Sequence, residues 1–408
     1  MGEFQYAKRR KKAYREWRRT FVTLWLGCFM TGLGFSMTMP FLSLYIATLG
    51  HFSHWELNVY SGIAFAVTFL AQAIVSPYWG NLADRKGRKL MCLRASLVMT
   101  FTIFLTGLAN SVWMIIALRL IQGAFSGYVN NATAFMAGET EHGRSGSVMA
   151  NMMTASVTGN LIGPLIGGTL ADLFGFRIPF FITGVMMGMV FLLTLFNTQE
   201  HFKANTAKVL KPMKEIFANL KNTNMIITMF CTTLMVQAAL MSVAPIISLL
   251  VKDLMGNQGN VSFVSGVVAA MPGFGTLLIA SRLGHQMDKT GPIKVLLAGL
   301  AFAGIIFIPM FFVTSPWPLA ALRFLFGLAN AAMLPAVQTI LTISVPREAF
   351  GRIFSYNQSF QAAGGVIGPL LGSVVSGILG YQSVFLITAC MLLFNFYLVF
   401  RIRKVSTE

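Results

Sequence analysis

The chain has 408 residues, 55% of them hydrophobic and only 11% charged, with a mean hydropathy of +0.69. That is too little polar surface for a water-soluble globule and leaves no room for a large soluble domain, so most of the chain belongs in a bilayer. The formal charge of +18 would suit nucleic acid as a partner, but the placement of the charges excludes it.

A run of about 20 apolar residues crosses a bilayer as a helix. Spans are expected near 21–49, 57–79, 90–109, 111–136, 146–171 and 177–197, then near 224–251, 261–283, 293–313, 317–342, 351–377 and 381–400. The pattern predicts an all-α membrane protein with 12 transmembrane helices in two pseudo-symmetric six-helix bundles, 21–197 and 224–402. A basic segment at 1–20, a linker at 198–223 and a tail at 403–408 complete the chain. The first apolar run is too long for a signal peptide and lacks a small-residue cleavage site, so it reads as an uncleaved span.

Of the 31 lysines and arginines, 27 are assigned to the terminal segments or to alternate loops and their edges. This positive-inside bias predicts that both termini are cytoplasmic and that the basic blocks meet anionic membrane lipids. Cys28, Cys92, Cys231 and Cys390 lie singly in apolar runs and read as small apolar fillers.

Between spans 2 and 3 lies a charged hinge, Gly80 to Lys89, in which Asp84 sits among Arg85, Lys86, Arg88 and Lys89 and is framed by Gly80 and Gly87. Glycine permits a tight turn and close helix approach there, and Asp84 can act as a latch on Arg85, Arg88 or a helix end. A weaker copy holds Gly284, Asp288, Lys289 and Gly291. Ser111-Val-Trp113 with Arg119 and Gly123 recurs as Ser315-Pro-Trp317 with Arg323 and Gly327, and Gly163-Pro164 recurs as Gly368-Pro369. Such repeated halves build a central transport site between two rocking bundles. In the linker, apolar residues from Val209 to Leu220 recur at helical spacing, as in an amphipathic helix on the inner leaflet.

Arg119 and Arg323 are expected to be the only Lys or Arg well inside a span. An intramembrane charge costs at least about 2.5–3.5 kcal/mol and marks a pathway or a partner. Gly159, Gly163, Pro164, Gly167 and Gly168 share one span at near four-residue spacing, which favours close helix contact and a bend at the proline. Gly364, Gly365, Gly368, Pro369 and Gly372 repeat the pattern, so this motif alone does not establish antiport. A central cavity is expected to draw on Met30, Phe35, Met37, Gln122, Asn130, Met152 and Asn160 from the first half. The second half would add Gln237, Met241, Asn330, Tyr356, Asn357, Gln358 and Gln361. Methionine and amide side chains adapt to many ligand shapes. No acidic residue falls deep in a span: Glu56, Asp172 and Asp253 sit at outer ends, and Asp84, Glu139, Glu141 and Asp288 at inner ends. This disfavours an obligate cation as substrate and favours neutral, amphipathic or anionic compounds near Arg119.

Together these residues resemble the major facilitator superfamily and, within it, the twelve-span drug:proton antiporters, over essentially the whole chain. Gly80 to Lys89 matches the loop signature after span 2, and Leu118-Arg119 with Gln122-Gly123 matches the span-4 signature. Gly159 to Gly168 matches the span-5 antiporter signature, and Leu33-Gly34 with Pro40 matches the span-1 signature, where Ser43 replaces a second proline. Gly351 to Phe360 and Leu334 to Thr339 are similar to one branch of bacterial multidrug exporters. The resemblance implies that Asp84, Arg85 and Arg88 lock the cytoplasmic side and that Arg119 takes part in proton movement. It implies an inner-membrane monomer without a cofactor, exporting small amphipathic compounds in exchange for protons; since no carboxylate lies deep in a span, Asp84 or Asp172 is expected to titrate in place of the cavity acid that many relatives keep. A metabolite facilitator or symporter and a lipid translocator remain open on the same fold. No His, Cys or carboxylate cluster has catalytic spacing, which argues against an enzyme.

Overall fold

The computed structural model describes residues 2–140, 145–201, 223–256, 258–345 and 350–407, without the side chains of 2–13, 84, 145–147, 150, 281, 350–352 and 404–407. The expected linker helix lies outside the described residues. The first half holds α1 (Gly2–Thr38), α2 (Leu42–Ala47), α3 (His54–Lys86), α4 (Arg88–Gly107), α5 (Val112–Phe125), α6 (Tyr128–Gly138), α7 (Ser145–Phe174) and α8 (Arg177–Asn197). The second holds α9 (Thr223–Val243), α10 (Ile247–Leu254), α11 (Val261–Thr290), α12 (Pro292–Met310), α13 (Pro316–Ser344), α14 (Phe350–Leu379) and α15 (Ser383–Thr407).

Helix breaks follow from backbone chemistry. Proline lacks an N–H to continue the ladder, so the first span breaks at a 3-10 turn, Met39–Phe41, around Pro40. The seventh breaks between α9 and α10 at Pro245. The fourth breaks at Gly127, whose φ of +110° favours glycine. Ala331 stands at the corresponding place in α13, and that helix runs unbroken. The basic segment is helical from Gly2 onward and continuous with the first span.

Eleven helices among the described residues are long and apolar enough to cross a membrane. The twelfth crossing is α7, whose Thr154, Thr158, Asn160 and glycines dilute its apolar character. It is shielded by α1 and α11, against which it packs extensively. The alternation of crossings puts both chain termini at one end of the molecule, here the termini end, opposite the far end.

Buried apolar side chains form two clusters, one drawn from Leu24 to Val190 and one from Met225 to Val399 with Phe41 and Leu44 added. Within each half, glycines set helix backbone directly on helix backbone. Gly159, Gly163 and Gly167 of α7 abut the carbonyls of Phe29, Leu33 and Met37 on α1, leaving no room for a Cβ. Gly364, Gly368 and Gly372 of α14 abut those of Leu234, Ala238 and Ser242 on α9 in the same way. Likewise Gly123 meets the Thr68 carbonyl and Gly327 the Pro272 carbonyl. The repeat seen in the sequence therefore extends to individual contacts.

Two seams join the halves, α3 on α14 and α7 on α11. Gly62 meets the carbonyl of Pro369, and Gly266 meets that of Pro164. Toward the far end Asp172 accepts hydrogen bonds from the backbone N–H groups of Ser262 (3.0 Å) and Phe263 (2.7 Å), capping α11 from the other half. Ser376 donates to Asn58 (2.8 Å), Ser43 donates to the Pro245 carbonyl (2.6 Å), and the His54 and Tyr381 rings lie 5.0 Å apart. Toward the termini the seams part. Gly365 still meets Phe69 at mid-depth, whereas Gly80 and Gly284, further down α3 and α11, have no atom within 4 Å of a Cβ position. Tyr78 on α3 and Tyr356 on α14 are exposed. The far end is closed and the termini end open.

Two outcomes follow for experiment. In a cysteine-free background, oxidising an Asn58→Cys/Ser376→Cys pair should join α3 to α14 and hide both thiols from maleimide labelling until reductant is added; thiols that stay reactive after oxidation would refute this contact. Gly372→Leu forces a side chain into the Ser242 backbone and costs at least about 1–3 kcal/mol. It therefore lowers the melting midpoint of the purified protein, whereas Gly284→Ala, with open space around it, leaves the midpoint in place.

Candidate functional site

Arg119 occupies the third turn of α5, whose N-terminus Ser111 caps by accepting from the Met114 N–H at 3.2 Å. The side chain is 2% exposed. Its Nε donates to the Ala64 carbonyl of α3 (3.3 Å), Nη1 to Oε1 of Gln122 (3.0 Å) and Nη2 to the Met39 sulfur (3.0 Å). Thr68 returns a bond to the Arg119 carbonyl (3.2 Å). All of these acceptors are neutral, and among the described residues no carboxylate is paired with this guanidinium. It is a desolvated cation held by dipoles beside the Pro40 break, with a standing attraction for any anion that reaches it. Arg323 repeats only part of this, donating Nε to the Val268 carbonyl (3.0 Å), with buried Phe326 where the first half has Gln122.

The residues expected to line a cavity divide into two groups. Gln237 and Gln361 approach each other at 3.4 Å between α9 and α14, with half-buried Met241 on the same stretch of α9. Asn330 on α13 carries a buried Oδ1 with no partner among the described residues. Phe35, Asn130, Asn160, Tyr356 and Gln358 are exposed. By contrast, Met37 and Met152 are buried in helix packing, and Gln122 is engaged by Arg119. Asn357 is buried while accepting from Thr233 (2.7 Å), and Met30 packs against the first cluster. In this state these five are scaffold, because they fall on faces that α-helical periodicity turns toward neighbouring helices.

At the hinge, α3 ends and α4 begins on either side of Gly87, whose φ is +94°. Glu200, just beyond α8, accepts from the N–H groups of Arg88 (2.6 Å) and Lys89 (2.8 Å), so a carboxylate sits on the positive end of α4. Lys89 reciprocates by donating Nζ to the Leu195 (3.0 Å) and Thr198 (2.6 Å) carbonyls at the negative end of α8. A Cβ at Gly87 would meet the Glu200 carboxylate, the movable end of a flexible side chain, so it is the positive φ that requires glycine here. One residue on, His201 hydrogen-bonds Glu139 through its N–H (2.7 Å) and Nδ1 (3.0 Å), and this bond holds the imidazole above its ordinary pKa. Arg85 is exposed, and the Asp84 side chain lies outside the described residues. In the second hinge Gly291 repeats the turn at φ +87° and Asp288 is exposed. Gly80 and Gly284, expected to bring helices together, make no such approach here because the halves have parted at this end.

Three participants escape a reading by composition. Glu200 falls in what reads as a polar linker; its signal is a lone acid at a helix end opposite a glycine turn. Arg94 lies inside α4, which corrects the expectation that Arg119 and Arg323 are the only basic residues within spans. Its guanidinium stacks on Trp79 at 3.7 Å and donates to the Ser126 carbonyl (3.0 Å), closing the free end of α5. Ser43, standing where a second proline was expected, supplies the bond to Pro245 that ties the two helix breaks together.

The family model described as Major Facilitator Superfamily matches residues 24–285 and 229–408. The proteins named Multidrug resistance protein MdtG of Escherichia fergusonii and Citrobacter koseri are each 46% identical over 379 residues, 93% of this chain and 93% of theirs. That of Salmonella arizonae is 46% identical over 93% of this chain and 94% of its own. Among solved structures, a bacterial homolog of the human lysosomal transporter Spinster, inward-facing and occupied, superimposes with a TM-score of 0.78 at 15% identity, over 94% of this chain and 96% of that one. The nucleoside transporter NupG does so at 0.73 and 15%, over 94% and 99%. At such identities the two structures share the fold alone. With half-to-half repeats resolved to single contacts, a hinge after the second span and relatives matched nearly end to end, the chain belongs to the Major Facilitator Superfamily, beside the MdtG multidrug resistance proteins.

Proposed function

We propose that this multi-pass membrane protein is a proton-driven multidrug exporter of the bacterial inner membrane, with both termini in the cytoplasm. It carries hydrophobic, amphipathic or anionic compounds outward by alternating access, the bundles 21–197 and 224–402 rocking about the linker. The observation that carries this reading is the closed far end and open termini end around a buried cation, Arg119, with no acid at mid-depth among the described residues. The printed name of the MdtG relatives supports export of several drugs. Each chain holds both halves of the pathway, so a monomer suffices, and it transports without making or breaking covalent bonds.

Proton drive enters through the seams. Ionised Asp172 holds α11 with two charge-assisted bonds. A proton taken up by Asp172 from the far side once substrate has left discharges the carboxylate for closure of the seam, and it departs through the open termini end as the two bonds to α11 re-form, so a proton moves inward as substrate moves outward. As the termini end closes, Gly80 and Gly284 supply surfaces smooth enough for the helices to meet, and Asp84 with Arg85 and Arg88 forms the lock there. Arg119 attracts the anionic or polar end of a substrate and, by its place in the span-4 signature, takes part in proton movement. One charge crossing 100 mV is worth about 2.3 kcal/mol, enough for roughly a fiftyfold gradient of a neutral substrate per proton.

In proteoliposomes with an imposed pH gradient, Arg119→Ala is expected to cut drug-coupled proton flux about tenfold or more, matching the loss of charge-assisted hydrogen bonds. Arg323→Ala should do less, because fewer bonds hold it; equal flux in both variants would count against a special role for Arg119. The double variant Asp84→Asn/Asp172→Asn should still bind drug but exchange no protons. Intact coupled efflux in that variant would sink the assignment of these carboxylates as the titrating groups.

A further inference from the structure

We propose that the cleft between the start of α1 and the end of α8 is a binding site for one anionic phospholipid of the leaflet at the termini end. The guanidinium groups of Arg15, Arg18 and Arg19 hold its phosphate, and its acyl chains lie along Val22, Leu26 and Leu193. The cleft has a volume of about 440 Å³ and is completed by Thr23 and Asn197. Its α1 residues recur at positions 15, 18, 19, 22, 23 and 26, one stripe of a single helix face. Along that stripe the chemistry changes in one direction, from three cations to apolar side chains. Arg18 and Leu26 are eight residues apart, about 12 Å of helix axis, which suits a lipid phosphate and the first part of its chains.

Charge complementarity selects the ligand. Among the described residues three arginines line the cleft and no carboxylate does, while the guanidinium fork matches phosphate oxygens. Arg15, Arg18 and Arg19 are exposed, and Asn197 takes a hydrogen bond from Arg19 Nη2, which sets that side chain in place before any ligand arrives. Val22 is 52% exposed, so the lower wall offers apolar surface that nothing among the described residues covers. The depth is marked independently. Tyr14, one residue before Arg15, is 58% exposed and stacks on Trp17 at 6.1 Å, and an exposed tyrosine settles at the headgroup level. Basic pockets between helices at that level take acidic headgroups. The α1–α8 packing belongs to one half, away from the seams that part, so an occupied cleft anchors the first half while the second moves.

The full-length protein in mild detergent can be tested by native mass spectrometry with phosphatidylglycerol, with phosphatidylethanolamine of the same acyl chains, and with inorganic phosphate. One phosphatidylglycerol per chain should be retained in preference to phosphatidylethanolamine. Arg15→Gln/Arg18→Gln/Arg19→Gln should weaken retention roughly tenfold or more, whereas Lys8→Gln/Arg9→Gln/Arg10→Gln, the same loss of charge, should leave it. Leu193→Glu, which keeps all three arginines but puts a carboxylate where the chains lie, should also release the lipid and serves if the triple variant fails to fold. Equal retention in both triple variants, no preference between the two lipids, or displacement of phosphatidylglycerol by millimolar inorganic phosphate would each overturn the proposal.

Discussion

The contact on which the rest of the structure depends is a glycine set against a backbone carbonyl of the neighbouring helix. In a bilayer, apolar side chains gain little by leaving lipid for one another, so helices associate through close packing and through polar groups that find partners. Here α7 and α14 each do two jobs with one motif. Their glycines at 159, 163, 167 and at 364, 368, 372 face the first helix of their own half, while the carbonyls of Pro164 and Pro369 receive Gly266 and Gly62 of the other. The same two helices that make each bundle rigid also form the seams along which the bundles part.

Electrostatics then acts at helix ends. Asp172 on the N-terminus of α11, Glu200 on that of α4 and Lys89 on the C-terminus of α8 each place a full charge on orphan backbone groups of the opposite partial sign. Such bonds are made or lost as a unit when a helix end moves. Arg119 is the exception, a charge at mid-depth satisfied by a carbonyl, an amide and a thioether. Its mate Arg323 has fewer bonds because Phe326 replaces the amide, so the two halves share a fold without sharing the site.

The spans, the repeat and the hinge were legible because each is written locally, as apolar run length, as residue pairs at a fixed offset and as glycines around charges. Arg119 was legible for a related reason: a charge in an apolar run has no local excuse. The cavity residues were less so. Met37 and Met152 have the composition of lining and the position of packing, and only the rotation of each helix against its neighbours separates the two. Glu200 and Arg94 were missed because their partners, a glycine turn and the end of a broken helix, are distant in sequence.

The amino-acid sequence by itself determined that the chain lives in a bilayer, how often it crosses and that its halves are copies, since solvent partition and steric rules for glycine and proline act residue by residue. Which end is closed, which carboxylates grip helix ends across the halves, and where three arginines meet an uncovered apolar groove were decided only by the tertiary structure. Those properties belong to pairs of surfaces, and a single chain segment carries half of each.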